Sequence, residues 1–131
     1  MLNKPSQKTV LLIEDDQFIR ELIAEALKKN NVRVEMAING NEAARKIEAM
    51  SDKLDLILLD IILPDKNGYE ILELARSRPE LKKIPIIVIS NLGQEEEIKK
   101  AMDLGAKAYL IKAQSDIDDI VKKVQEFLGD F

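Results

Sequence analysis

The chain has 131 residues, a formal net charge of −4, 46% hydrophobic and 34% charged residues, which fits one aliphatic-cored globular unit and excludes a disordered or fibrous chain. It contains no cysteine and no histidine, so disulfides, thiolate and imidazole metal ligands, cysteine nucleophiles and Ser-His-Asp catalysis are excluded. Carboxylates, hydroxyls and lysines are left to carry any chemistry. The opening MLNKPSQKTV lacks the apolar core of a signal peptide, and no run approaches the roughly 20 apolar residues of a membrane span. The sequence therefore points to a cytoplasmic protein with no membrane contact. Its lysines fall in scattered pairs, a poor footprint for nucleic acid.

Val10 to Ile13 is a short branched apolar run, read as a first strand. Gln17 to Lys29 follows as an amphipathic helix with Phe18, Ile19, Leu22, Ile23, Ala26 and Leu27 at helical intervals and an acid as its cap. Val32 to Ala37 alternates as a second strand, Asn39-Gly40 turns the chain, and Ala43, Ala44, Ile47 and Met50 mark a second helix. The third unit is Leu54 to Leu59, a Pro64 to Gly68 loop, and a helix carrying Ile71, Leu72 and Ala75. Ile86 to Ile89 is the fourth strand, and its helix, over about Gln94 to Leu104, opens on three glutamates and stops at Gly105. Ala108 to Ile111 is the fifth strand. Ser115, with Asp118 three residues on, predicts the N-cap of a last helix whose buried stripe is Ile117, Ile120, Val121, Val124, Phe127 and Leu128.

Five strands alternating with five helices imply an α/β fold with a parallel sheet, because each helix is a right-handed crossover. Strands 1, 3 and 4 are continuous apolar runs, as strands covered on both faces are, while strand 2 alternates as an edge strand does. The pattern predicts a doubly wound, flavodoxin-like (βα)5 three-layer sandwich of strand order 2-1-3-4-5. Its ligand crevice lies beyond the carboxyl ends of strands 1 and 3.

Polar residues concentrate at those ends: Glu14-Asp15-Asp16 after strand 1, Asp60 after strand 3, Ser90 after strand 4 and Lys112 after strand 5. In LILLDIILPDKNG, residues 56–68, an unpaired buried carboxylate costs several kcal/mol, so the strand is read as ending at Asp60 rather than burying it. Acids crowded at one sheet edge repel and raise one another's pKa unless a cation intervenes. An oxygen-only donor set fits Mg²⁺, with Asp15, Asp60 and the backbone carbonyl of Ile62 as candidate ligands. Singly, the acids after strand 1 read as helix caps, Asp60 as the start of a turn, Ser90 as a strand-end cap, Lys112 as a solvated charge and Tyr109 as edge packing. Together, on four adjacent strand ends, they read as a site.

The phrases VLLIEDD, DLILLDIILPDKNG, PIIVIS and AKAYLIK, in this order and spacing, resemble the receiver domain of two-component response regulators, the CheY-like phosphoacceptor module of bacterial signalling. The likeness runs from about residue 9 to 128, and the whole chain, 1–131, is read as one receiver domain with no output domain. It implies a phosphoacceptor at Asp60, supplied by a sensor histidine kinase or a histidine phosphotransfer protein, and an Mg²⁺ held by Asp15, Asp60 and the Ile62 carbonyl, with Glu14 acting through a water. It also implies that Lys112 and Ser90 contact the phosphoryl group and that Tyr109 changes rotamer. The face of the fourth helix, fifth strand and fifth helix then switches toward an output protein that the sequence does not name. Such a domain is not an enzyme beyond its own phosphorylation and dephosphorylation.

Three features depart from the family pattern. Ala113 follows Lys112 where proline is usual, which predicts a trans bond, since a non-proline cis bond costs about 3 kcal/mol. Asn91 replaces a small residue after Ser90. Ile62 and Leu92 flank the approach of a hydrolytic water that neither can orient, so slow acyl-phosphate hydrolysis is expected. Two other readings compete with this one. An aspartyl-phosphate phosphatase needs a second acid two residues after the first, where Ile62 stands, and a docking module that is never phosphorylated would ordinarily lose the acids kept here.

Overall fold

The computed structural model describes residues 7–129. Most of the segment read for a leader, and the last two residues, lie outside it. The strands β1 (Lys8–Ile13), β2 (Val32–Ala37), β3 (Leu56–Leu59), β4 (Ile86–Ser90) and β5 (Ala108–Ile111) form one all-parallel sheet of order β2-β1-β3-β4-β5. The doubly wound order expected from the alternation is therefore the order found.

Among the described residues six α-helices connect and flank the strands: α1 (Gln17–Lys29), α2 (Gly40–Ala49), α3 (Gly68–Ser77), α4 (Pro79–Lys82), α5 (Glu95–Asp103) and α6 (Ile117–Leu128). The pattern predicted five. The addition is α4, one turn opened by Pro79, whose fixed φ and missing N–H suit a first helical position. It turns the buried Leu81 into the core.

Side chains alternate across the sheet with period two. Leu11, Ile13, Ile57, Leu59, Ile86 and Val88 pack with residues of α2, α3 and α5. Val10, Leu12, Leu56, Leu58, Ile87 and Ile89 pack with α1 and α6. Burying each such Leu or Ile contributes about 1.5–3 kcal/mol, so a one-residue slip of any central strand would exchange the two layers and is strongly disfavoured.

Helix capping accounts for one of the acids after β1 and for polar residues in three of the other loops. Asp16 accepts the Ile19 N–H at 3.0 Å and caps α1, Asn39 caps α2 through Glu42, and Asn67 caps α3 through Glu70. For α6 the cap is Asp116, paired reciprocally with Asp119, not Ser115. A 3₁₀ turn over Lys112–Gln114 ends on Ser115, which delays the helix start by one residue. Gly105, at φ +107°, ends α5 in the left-handed conformation a C′ glycine allows.

Three residues assigned to apolar helix faces lie at the surface instead. Phe18 is 71% exposed, and Leu22 and Phe127 are also exposed. Ile23, Ala24 and Leu27 take the sheet-facing positions of α1, and Ile120, Val121, Val124 and Leu128 those of α6.

Candidate functional site

Register builds the site. Ile13 pairs with Leu59, so the next residues, Glu14 and Asp60, leave β1 and β3 at the same level. The Asp60 N–H donates to the Ile13 carbonyl at 3.0 Å, and the Glu14 N–H to the Ala37 carbonyl at 3.0 Å. Ser90 pairs with Ile111 at the end of β4 and β5, which puts Lys112 one step past the sheet edge. Neighbouring strands lie about 4.8 Å apart, so all four groups come within side-chain reach of one another.

Asp60 follows the last residue of β3, as expected, but it is buried, with only 5% exposure. Sequence reading expected the acid to escape burial by ending the strand. Lys112 compensates it instead: its ammonium lies 2.7 Å from Asp60 Oδ2 and 2.7 Å from Glu14 Oε1. The other oxygens are met by backbone, with Ile62 N–H on Asp60 Oδ1 at 3.1 Å and Asp16 N–H on Glu14 Oε2 at 3.1 Å.

The electrostatics follow from this crowding. Burial pushes the Glu14 carboxyl above its ordinary value, the Lys112 hydrogen bond works against that rise, and the Asp60 charge adds to it. Burial pulls the Lys112 ammonium down, but its bonds to Asp60 and Glu14 outweigh this and hold it above the ordinary lysine value.

Glu14, Asp15 and Asp60 each bring a carboxylate oxygen within 4.8 Å of the others. These donors suit a hard cation, and two mutually repelling acids gain from one. The cluster can therefore hold a metal ion. Lys112 brings one ammonium to this cluster, bonded to Asp60 and Glu14.

On the β4 side, Ser90 is fully buried and its Oγ accepts the Leu92 N–H at 3.2 Å. Tyr109, half-buried, donates its hydroxyl to the Leu92 carbonyl at 2.6 Å. Burial raises the Tyr109 phenol pKa, with the neighbouring Ser90 hydroxyl acting the other way. Leu92 itself packs against the core layer below the loop, whereas Ile62, 55% exposed, stands beside Asp60. Every peptide bond among the described residues is trans, including Lys112–Ala113, and Lys112 reaches Asp60 without the usual proline.

Three contributors escaped the sequence reading. Arg20 donates to the carbonyls of Glu14 at 2.9 Å and Asp15 at 3.2 Å, fixing the turn after β1. Tyr69 donates to the Glu97 carbonyl at 3.2 Å, with the Lys100 ammonium 4.2 Å from its ring centre, tying α3 to the first turn of α5. Asp65 accepts the N–H groups of Gly40 and Asn41. Its only signal was its place in the Pro64 to Gly68 turn.

Comparison with known proteins agrees with this geometry. The description "Response regulator receiver domain" matches residues 10–125. A chemotaxis protein CheY from Treponema pallidum is 36% identical over 104 residues, 79% of this chain and 71% of that protein. A gliding motility regulatory protein from Myxococcus xanthus is 30% identical over 88% of this chain, which spans only 14% of that protein's length. The crystal structure of a CheY-like response regulator receiver domain protein from Methanospirillum hungatei JF-1 superposes with a TM-score of 0.82 at 30% identity, covering 94% of each chain. With the sheet order and the strand-end cluster of acids, hydroxyl and lysine, these likenesses lead to one assignment: the chain belongs to the response regulator receiver domains of two-component systems.

Proposed function

We propose that this receiver domain takes up a phosphoryl group on Asp60 from a phosphohistidine of a sensor kinase or phosphotransfer protein. The observation that carries the reading is a buried acid at the end of β3 whose counter-charge, Lys112, comes from β5 while two further acids stand beside it. An Asp60 oxygen attacks phosphorus, the P–N bond breaks, its electron pair leaves with the donor imidazole, and that ring keeps its neutrality by taking a proton from solvent. Asp60 becomes an acyl phosphate. In-line positioning and charge neutralisation are what such a transfer needs.

Mg²⁺ is the cation that fits: Asp15, Asp60 and the Ile62 carbonyl would hold it, with Glu14 acting through a water, and it would neutralise charge on the transferred group. Lys112 exchanges its Asp60 contact for a phosphoryl oxygen. Ser90 donates its hydroxyl proton to the same group, drawing the loop after β4 inward. Tyr109, now tied to the Leu92 carbonyl in that loop, moves with it. The face of α5, β5 and α6 is the surface that changes for an output partner, by new charge biasing a two-state element. The domain works in the cytoplasm, and Ile62 and Leu92 slow its dephosphorylation.

Incubation with acetyl phosphate and Mg²⁺ followed by intact mass is the test. One added phosphoryl group on the native chain, absent in Asp60→Asn and in chelator, supports the reading. No gain on the native chain would leave a docking module.

A further inference from the structure

One carboxylate in the loop between β3 and α3 touches none of the site's acids, yet it holds three amides. Asp65 Oδ1 accepts the Gly40 N–H at 2.7 Å and the Lys66 N–H at 2.8 Å, while Oδ2 accepts the Asn41 N–H at 2.8 Å. Gly40 and Asn41 open α2, and the helix's own cap, Asn39, reaches only the Glu42 N–H. Asp65 thus satisfies, from another segment, two of the donors that a helix N-terminus leaves open.

The approach is close. A Cβ on Gly40 would stand 2.6 Å from Lys66 Cβ and 3.1 Å from Asp65 Oδ1, so only glycine admits the loop there. At the loop's other end the Gly68 N–H donates to the Ile61 carbonyl at 2.6 Å. The segment is closed at its base and fastened at its tip to α2, and Ile62 lies between the two fastenings. A side-chain ligand can swing on its own torsions. A carbonyl ligand points where its backbone points.

We propose that Asp65 is a positioning residue for the metal side of the site, clamping the β3–α3 loop to the N-terminus of α2 and so fixing the backbone that carries the Ile62 carbonyl. The inference rests on the metal-dependent phosphorylation proposed above. Desolvation is the largest single influence and works against the Asp65 charge, but the amides of Asn41, Gly40 and Lys66 together outweigh it and hold the carboxyl below its ordinary value, as a clamp that stays ionised requires. Outer-shell partners of this kind commonly control metal affinity by roughly 10- to 100-fold.

The test compares Asp65→Ala, Gly40→Ala and Asn39→Ala with the native chain by calorimetric Mg²⁺ titration and by hydrogen exchange in chelator. Asp65→Ala and Gly40→Ala are expected to weaken Mg²⁺ binding by about tenfold, with acetyl phosphate labelling restored at saturating Mg²⁺. Both should speed amide exchange between residues 62 and 66. Asn39→Ala removes a cap from the same helix without touching the loop, so it should lower stability and leave Mg²⁺ affinity and loop exchange as in the native chain. Native Mg²⁺ affinity in Asp65→Ala, or an equal loss in Asn39→Ala, overturns the clamp. If the native chain itself binds no Mg²⁺, the proposed function fails, and the exchange data still judge the clamp: unchanged loop exchange in Asp65→Ala overturns it.

Discussion

Lys112 reaches from the end of β5 to the acid at the end of β3, its ammonium 2.7 Å from Asp60 Oδ2. The pair is largely buried and shared with Glu14, so removing the cation leaves two acids facing each other without compensation. Lys112→Met should therefore destabilise the metal-free protein by about 3 kcal/mol. Urea unfolding in chelator reads this, and Asp60→Asn in the same background should recover part of the loss. Equal stability of Lys112→Met and the native chain would show that the ion pair contributes nothing to the fold.

Gly68 lies where the β3–α3 loop closes against its own start. A Cβ there would stand 2.7 Å from the Asp60 carbonyl oxygen and 2.7 Å from Ile61 Cα, both backbone atoms of the segment that bears the acid. Gly68→Ala should cost about 1–3 kcal/mol, as other overpacking substitutions do. Because the strain falls on Asp60's own backbone, labelling by acetyl phosphate should slow as well. A variant with reduced melting temperature and native labelling kinetics would separate the glycine from the site.

The Asp65 clamp has a pH signature with a defined sign. Its carboxyl titrates below the unfolded value of about 3.9, so the stability it contributes is present above that value and is lost as pH falls through the folded pKa. The stability gap between the native chain and Asp65→Asn should be constant at neutral pH and shrink below about pH 3.9. Urea midpoints across the acid range measure it. A gap that widens toward low pH contradicts the assignment.

Ile62 stands exposed beside Asp60, while Leu92 is packed on the core, so the two should not influence acyl-phosphate lifetime equally in the resting arrangement. A polar residue at Ile62 able to hold a water should speed decay of the phosphoprotein by about tenfold. Leu92→Asn should act more weakly and cost stability. Decay of the purified phosphoprotein, followed by intact mass with Mg²⁺ present, decides. An unchanged or slower rate in Ile62→Asn sinks the role of Ile62.

Sequence made the site legible because its residues sit at strand ends, and strand ends follow from apolar runs and their order. Asp60, Ser90 and Lys112 needed only the topology to bring them together. What was hidden depends on contacts between segments. The capping of α2 by Asp65 joins residues 24 and 25 positions apart, and nothing local in an aspartate after proline distinguishes a turn from a clamp. Burial of Asp60 was misjudged because its neutralising partner lies 52 positions away. Phe18 looked like a core residue because helical spacing defines a stripe and not its edges. The one-turn α4 did have a signal in Pro79, but four residues give no periodicity to read.

The site draws a residue or pair from the ends of β1, β3, β4 and β5, and no two of those strands belong to the same strand-helix unit. A molecule in which β5 is undocked has lost its cation, and one in which β1 is undocked has lost Glu14 and Asp15. On the function proposed above, receiving a phosphoryl group therefore requires these strands docked together. The edge strand β2 supplies none of these groups, so the requirement falls on the four strands β1, β3, β4 and β5 alone.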